Sequence, residues 1–219
     1  SNIKMNIQKS DTYWGENDTK ETPKKNDDGG DKKEPPKSDQ DLILTDCINH
    51  LYYYDNVDKP NGLKFITKLR QLDEKLWLKK LKGELDDPTI HIHFNSPGGS
   101  LLQGFSMASA VRSTKCSTVG HAEGCVASAI TLPWICCNKR TIQTFSYALI
   151  HQLSSSFWGT AEDFKDNQKN LDEFMRQIIE IYKKFTSVPE DEIEEILKHD
   201  IFWNSETCLK YKLVDEIVG

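Results

Sequence analysis

The chain has 219 residues, of which 37% are hydrophobic, and carries a formal net charge of −6 at pH 7. That is enough apolar material for one substantial core, and the acidic balance argues against a nucleic-acid partner, which would call for a basic stripe along the phosphates. The longest nearly apolar run, Cys125 to Cys137, is too short to span a bilayer, and no charged segment followed by an apolar stretch opens the sequence, so neither a membrane partner nor export is expected and the expected location is cytoplasmic.

Residues 1–40 are dominated by Lys, Asp, Glu, Asn, Pro and Gly, and cannot bury enough apolar surface to offset the entropy of ordering. They are expected to form a disordered polar tail, either a solubilising linker or a docking arm using Tyr13 and Trp14, ahead of one folded domain over 41–219. In that domain LILTDCINHLYYYDNV reads as strand material, and Asn61 to Lys82 as a helix with Leu63, Ile66, Leu69, Leu72 and Leu76 on its packing face. TIHIHFNSPGG reads as a strand running into a tight loop, Leu101 to Ser113 as a helix and STVGHA as a short strand. Cys125 to Cys137 reads as a buried helix and Thr141 to His151 as a strand. A long amphipathic helix over about 160–186 and a short one opened by Pro189 follow, and LVDEIV closes the chain as a strand. Strands alternating with helices predict an α/β fold built from right-handed βαβ units around a mainly parallel sheet, with chemistry at the carboxyl ends of the strands. The six cysteines form no CxxC pair and suit buried free thiols, and no phosphate-binding GxxxxGK[ST] loop is present, so any ATP requirement would come from a partner.

Four segments carry chemistry. In Asn95-Ser96-Pro97-Gly98-Gly99-Ser100 a turn with two unhindered glycines follows a strand, where backbone N–H groups can point at a developing oxyanion. Ser128 stands among small residues at the start of a helix, so that the N–H of Ala129 can serve as a second donor. His151 follows the apolar strand SYALI at the edge of a polar loop, and Asp200 precedes a segment in which Asn204 or Ser205 caps a short helix. Pro133 lies five residues after the serine, where in a continuous helix it would remove the bond to the Ala129 carbonyl and force a kink. Competing groups are His121 and Glu123 as a base or pocket residue, Asp163 and Asp166 as the acid, and His91 with His93, whose i, i+2 spacing puts both on one strand face without an evident third metal ligand. No metal and no cofactor is expected, and Cys136-Cys137 is expected only to pack.

The succession NSPGG, a serine after small residues, strand-His-Gln, and an acid segment DxFxxxE ending in YxLVD resembles the Clp protease proteolytic subunit, from about Asn49 to Val218. The resemblance implies a Clp/crotonase-type superhelix of repeated ββα units with a projecting handle helix. It also implies a serine endopeptidase with the triad Ser128, His151 and Asp200, and an oxyanion hole from Gly98 and Ala129. Substrate would add as a strand between Gly99-Ser100 and the loop Leu153, Ser154, Ser155 and Ser156. It implies in addition a peptide or unfolded-protein substrate, a homo-oligomeric chamber of two heptameric rings, and an AAA+ unfoldase as a candidate partner. The alternatives are a catalytically poor structural subunit of a mixed ring, and an acyl-CoA enzyme of the crotonase kind sharing the fold. By that resemblance an inactive paralogue typically lacks one triad residue, whereas candidates for all three stand here, and an acyl-CoA enzyme would need oxyanion glycines with acidic catalysts rather than a Ser-His pair.

Overall fold

The computed structural model describes residues 49–151 and 160–219. Five strands form a parallel sheet in the order β1 (His50–Tyr53), β2 (Thr89–Ser96), β3 (Ser117–Ala127), β4 (Lys139–Gln143) and β7 (Glu216–Val218). Strand β3 has two successive partners on the same edge. Its first half pairs with β4, whereas Cys125 to Ala127 pair with β5 (Tyr147–Leu149), which in turn pairs antiparallel with β6 (Phe202–Asn204). The carboxyl ends of β2, β3 and β5 therefore converge, and the glycine loop, Ser128 and His151 each follow one of them.

Helices α1 (Lys59–Leu81) and α2 (Leu101–Arg112) cover one sheet face, since Leu51, Tyr53, Ile90, Ile92 and Phe94 alternate inward and are fully buried. Helix α1 starts on Asp58, whose side chain accepts from the Asn61 N–H, and carries Pro60 in its first turn, where the absent N–H costs nothing. Its buried stripe is Phe65, Leu69, Leu72 and Leu76, and Leu63, expected on that face, is 65% exposed. The rotation is set by Phe65, which packs edge-to-face on Tyr53 with ring centroids 5.6 Å apart. Asp73 on the same helix is buried and accepts from the backbone N–H groups of Lys115 and Cys116, so it anchors the turn that feeds β3.

The segment expected as one buried helix over Cys125 to Cys137 divides in two. Residues through Ala127 continue β3, and a 3₁₀ turn (Ser128–Ile130) leads into the single α turn α3 (Thr131–Ile135). Pro133 accordingly produces no kink: it occupies the first turn of a short helix, where a backbone N–H has no helical acceptor. STVGHA is likewise only the first half of an eleven-residue strand, and Thr141 to His151 is interrupted between β4 and β5.

The long helix α4 (Ala161–Phe185) opens on a capping box between Thr160 and Asp163. It buries only Ile178 and Tyr182, both in its second half, and the first half projects into solvent bearing i, i+3 ion pairs such as Glu162–Lys165 and Asp166–Lys169. Helix α5 (Glu190–Leu197) follows Pro189, and α6 (Ser205–Lys210) is capped by Asn204. Arg140 locks the far end of the assembly, donating from Nη1 to the carbonyls of Ile135 and Phe185 while its backbone N–H donates to Asp215.

Candidate active site

Ser128 is the first residue after β3. Its φ of +61° lies in the left-handed region that non-glycine residues avoid, and the turn it makes lifts the side chain off the sheet edge. Such strain persists only where the surroundings enforce it. Two bonds enforce it here: Thr131 Oγ1 donates to the Ser128 carbonyl at 2.6 Å, and the Tyr182 hydroxyl donates to that same Thr131 oxygen at 2.6 Å. Thr131 has one proton and gives it to the carbonyl, which fixes Tyr182 as the second donor. The base of α4 is thus pinned to the serine turn, a role that the sequence reading did not assign to Tyr182 or Thr131. Position 182 lies on the apolar stripe of α4, but its partner is fifty-one residues away and is known only once the chain is folded.

The glycine loop packs directly on this turn. Gly98 has φ +96°, and a Cβ there would lie 2.5 Å from the Ala127 carbonyl oxygen, 2.6 Å from Ser128 Cβ and 3.2 Å from the Ala129 nitrogen. Only glycine fits. Gly98 and Ala129 are therefore brought together beside Ser128, with the Gly98 N–H donating to Ser96 Oγ at 3.1 Å. Ser100, by contrast, is committed to structure: its N–H donates to the Val57 carbonyl, its carbonyl accepts from Gly104 and its hydroxyl accepts from Gln103 at the start of α2. Gly99, with φ +145°, bridges to Val57, where a Cβ would sit 2.3 Å from the carbonyl oxygen. Gly104 lets α2 approach the serine turn, since a Cβ there would come within 2.8 Å of the Ala129 oxygen.

Ser128 and His151 line one narrow pocket with Leu101, Ile150 and Tyr182. Ser128 Oγ is buried and makes no hydrogen bond among the described residues. His151 Nδ1 lies 3.5 Å from Asp200 Oδ1, with the histidine side chain 11% and the aspartate side chain 82% exposed. The three groups predicted from sequence are therefore gathered at one place, in a loose arrangement that catalytic contacts in unliganded sites commonly show. Leu153 and Ser154, expected to bind substrate, lie outside the described residues.

The competing groups are elsewhere. Asp163 caps α4, and Asp166 pairs with Lys169 on the same exposed helix. His121 and Glu123 do not line the serine pocket. They belong with His50, His91 and His93 to a hydrogen-bonded row on the sheet face away from α1 and α2. The acid that sequence spacing did not supply for His93 is thus Glu123, 2.7 Å away on the neighbouring strand. Among the described residues no three His, Cys, Asp or Glu side chains are arranged to hold a metal ion. The described cysteines are unpaired, and burial pushes Cys136 up to about 11 and Cys137 up to about 12, so neither is a thiolate near neutrality.

A parallel sheet that delivers a serine, a histidine and a glycine loop to converging strand ends, with a long helix projecting beyond, is an arrangement of the Clp/crotonase class of α/β folds. The sequence profile of the Clp protease family matches residues 68–219. The ATP-dependent Clp protease proteolytic subunit of Deinococcus radiodurans is 26% identical over 145 residues, 63% of this chain and 69% of the relative. Among solved structures, a ClpP1 point mutant from Listeria monocytogenes superimposes with a TM-score of 0.67 over 78% of this chain and 91% of its own, at 18% identity. The chain belongs to the Clp protease family, as a divergent member.

Proposed function

We propose that this chain is a serine endopeptidase acting on peptides or unfolded proteins. Ser128 Oγ attacks the scissile carbonyl while His151 Nε2 takes its proton and later delivers it to the leaving amine. Asp200 holds the ring through Nδ1 and stabilises the imidazolium. The N–H groups of Gly98 and Ala129 receive the oxyanion, and for Gly98 this means exchanging Ser96 Oγ for the substrate. An extended peptide would lie along Gly99 on one side and the loop Leu153 to Ser156 on the other, paired through its backbone and so tolerant of sequence. Ser100 serves mainly as the cap that holds the glycine turn in place.

The observation that carries this reading is Ser128 itself. A buried hydroxyl on a left-handed turn, in one pocket with a histidine that faces a carboxylate, has a strained geometry that packing alone does not call for. The test is treatment of the full chain with a fluorophosphonate, followed by intact-mass analysis. One adduct per chain, mapped to Ser128, is the expected result, and a folded protein that stays unlabelled at every pH sinks the reading.

The exposed Asp200 and the 3.5 Å separation favour one alternative strongly enough to test, a catalytically poor subunit of a mixed ring. Wild-type turnover no faster than that of Ser128→Ala would select that alternative, and Asp200→Asn tests the acid. An orienting carboxylate makes turnover fall by roughly ten- to a hundredfold, less than the ~10⁴ of a fully buried triad aspartate, because solvent shares the job here. Turnover unchanged by Asp200→Asn would assign the acid to another group.

Ring assembly is part of the same proposal. The fold shared with a ClpP1 chain and the mostly exposed α4 support two heptameric rings joined through that helix, closed round the active sites, with an AAA+ unfoldase feeding substrate. Light scattering on the full chain should give a mass of several subunits, and a strict monomer at all concentrations would remove the chamber from the proposal.

A further inference from the structure

The sheet face opposite α1 and α2 carries an unusual row of ionisable side chains. Strands β1, β2 and β3 are in parallel register, with His50 beside His91, Tyr52 beside His93 and His93 beside His121. Alternation puts all of these on one face. The rings stack, with centroids 4.2 Å apart for Tyr52 and His93, 4.6 Å for His93 and His121, and 4.7 Å for His50 and His91. Two hydrogen-bonded chains run through them. In one, His50 Nδ1 lies 2.8 Å from His93 Nε2, His93 Nδ1 lies 2.7 Å from Glu123 Oε1, and the Tyr54 hydroxyl donates to Glu123 Oε2. In the other, His91 Nδ1 lies 2.9 Å from His121 Nε2, and His121 Nδ1 lies 2.8 Å from Thr141 Oγ1 on β4. The remaining charges on this face of β4 and β7 are Lys139 and Glu216, paired with each other at 2.9 Å.

Glu123 is where this row meets the serine turn. The β2–β3 ladder is regular to Phe94 and Ala122, then resumes at Ser96 and Val126, so Glu123, Gly124 and Cys125 together oppose Asn95 alone. This bulge aims the end of β3, and bulges of this kind commonly re-aim a side chain beside an active site. Gly124 has φ +72° and donates its N–H to Ser146 Oγ, and the Cys125 N–H reaches Asn95 Oδ1 at 3.4 Å. Those bonds hold the inner side of the bulge. The outer side is held by the Glu123 carboxylate, through His93 and Tyr54.

We infer that Glu123 is a positioning residue for Ser128: its carboxylate pins the β3 bulge from outside, and the histidine row behind it makes that anchorage depend on protonation. The inference rests on Ser128 being the nucleophile. The proton logic follows from the bonds. With Glu123 ionised, His93 donates Nδ1–H to it and accepts at Nε2 from His50. A proton added to His93 at Nε2 is tolerated if His50 shifts its own proton to Nε2. A second proton on His50 then sets two N–H groups against each other across 2.8 Å. The single carboxylate touches one ring of the four, so further imidazolium charge has no counter-ion in the row. Burial, and after it the neighbouring imidazoles, hold His121 down to about 4 and lower His50 and His91 as well. Groups lowered in this way bind fewer protons folded than unfolded, so what they contribute is present above their unfolded value near 6.5 and is lost as pH falls below it, for His121 towards about 4.

Hydrogen exchange read by mass spectrometry on the full chain tests this without relying on activity. After correction for intrinsic exchange, protection of the peptide spanning 123–130 in the wild type should fall about tenfold between about pH 7 and about pH 5, while peptides from α1 hold. In Glu123→Gln that peptide should already be weakly protected near neutrality and show no pH step. Fluorophosphonate labelling of the same variant should slow about tenfold in its maximal rate with the half-saturating reagent concentration unchanged, the signature of a misplaced nucleophile. Should Glu123→Gln fold poorly, Tyr54→Phe removes one of the two anchors and should give the same change in smaller measure. A flat wild-type exchange profile across this pH range, or a Glu123→Gln protein matching the wild type in exchange and labelling, overturns the inference. A wild type that is never labelled overturns instead the assignment of Ser128, and the exchange profile still decides whether Glu123 pins the bulge.

Discussion

Ser128→Ala should abolish fluorophosphonate labelling and cut hydrolysis of a small peptide ester or amide by about 10⁴-fold or more, leaving only the residual acceleration that binding and oxyanion contacts supply. Alanine keeps the burial and gives up a hydroxyl that makes no hydrogen bond among the described residues, so the fold has little to lose. It also stays in the left-handed region at φ +61°, where a Cβ of any kind costs about 1–2 kcal/mol. Ser128→Gly separates the two contributions. It should be as inactive as Ser128→Ala but more stable than the wild type by up to about 1 kcal/mol in chemical denaturation, the relief of strain being offset in part by glycine's larger unfolded entropy. Loss of activity coupled to a gain in stability is the mark of a residue held in place for chemistry. If both variants were destabilised alike, the turn would be a packing feature and the serine incidental to it.

What could be read from the chain and what could not divide along a physical line. The glycine turn, the serine and the histidine each follow the end of a strand, and those signals are local, whereas the acid lies between α5 and β6, so that His151 and Asp200 could be nominated before their pairing was seen. Helix α4 was legible from its apolar stripe, and its capping box was not. The errors arise where a local pattern has two solutions. Cys125 to Cys137 is nearly apolar, and period alone does not separate a buried strand end from a buried helix, so the helix is expected from Cys125, whereas the strand runs on to Ala127. Leu63 lies at helical spacing from Ile66, but the aromatic contact of Phe65 with Tyr53 turns the helix so that Leu63 faces water. The histidine row was out of reach for a different reason. The i, i+2 spacing of His91 and His93 gives a face, whereas the partners His50, His121 and Glu123 come from strands about thirty to forty residues away and depend on sheet register. The Tyr182–Thr131–Ser128 chain is of that kind too, a tertiary bond between a helix base and a turn.

Gly98→Ala should have the second largest effect, and its size tests the oxyanion assignment rather than the turn. The added Cβ meets the Ala127 carbonyl and Ser128 Cβ at 2.5 and 2.6 Å, and the first of these is backbone at the buried end of β3, so the loop itself must move. Moving it withdraws one of two N–H donors from the developing charge, a loss of about 10²–10³ in the maximal rate, together with about 1–3 kcal/mol of stability from the unfavourable φ. Gly99→Ala is the matched control. Its Cβ meets the Val57 carbonyl at 2.3 Å, an equally severe clash on the side of the loop away from Ser128. The two variants should therefore be destabilised to a similar degree in denaturant, while the labelling rate of Ser128 falls at least about tenfold further for Gly98→Ala. Equal rates at equal stability would mean that the glycine turn only shapes the loop, and the oxyanion would then have to be received by Ala129 without Gly98.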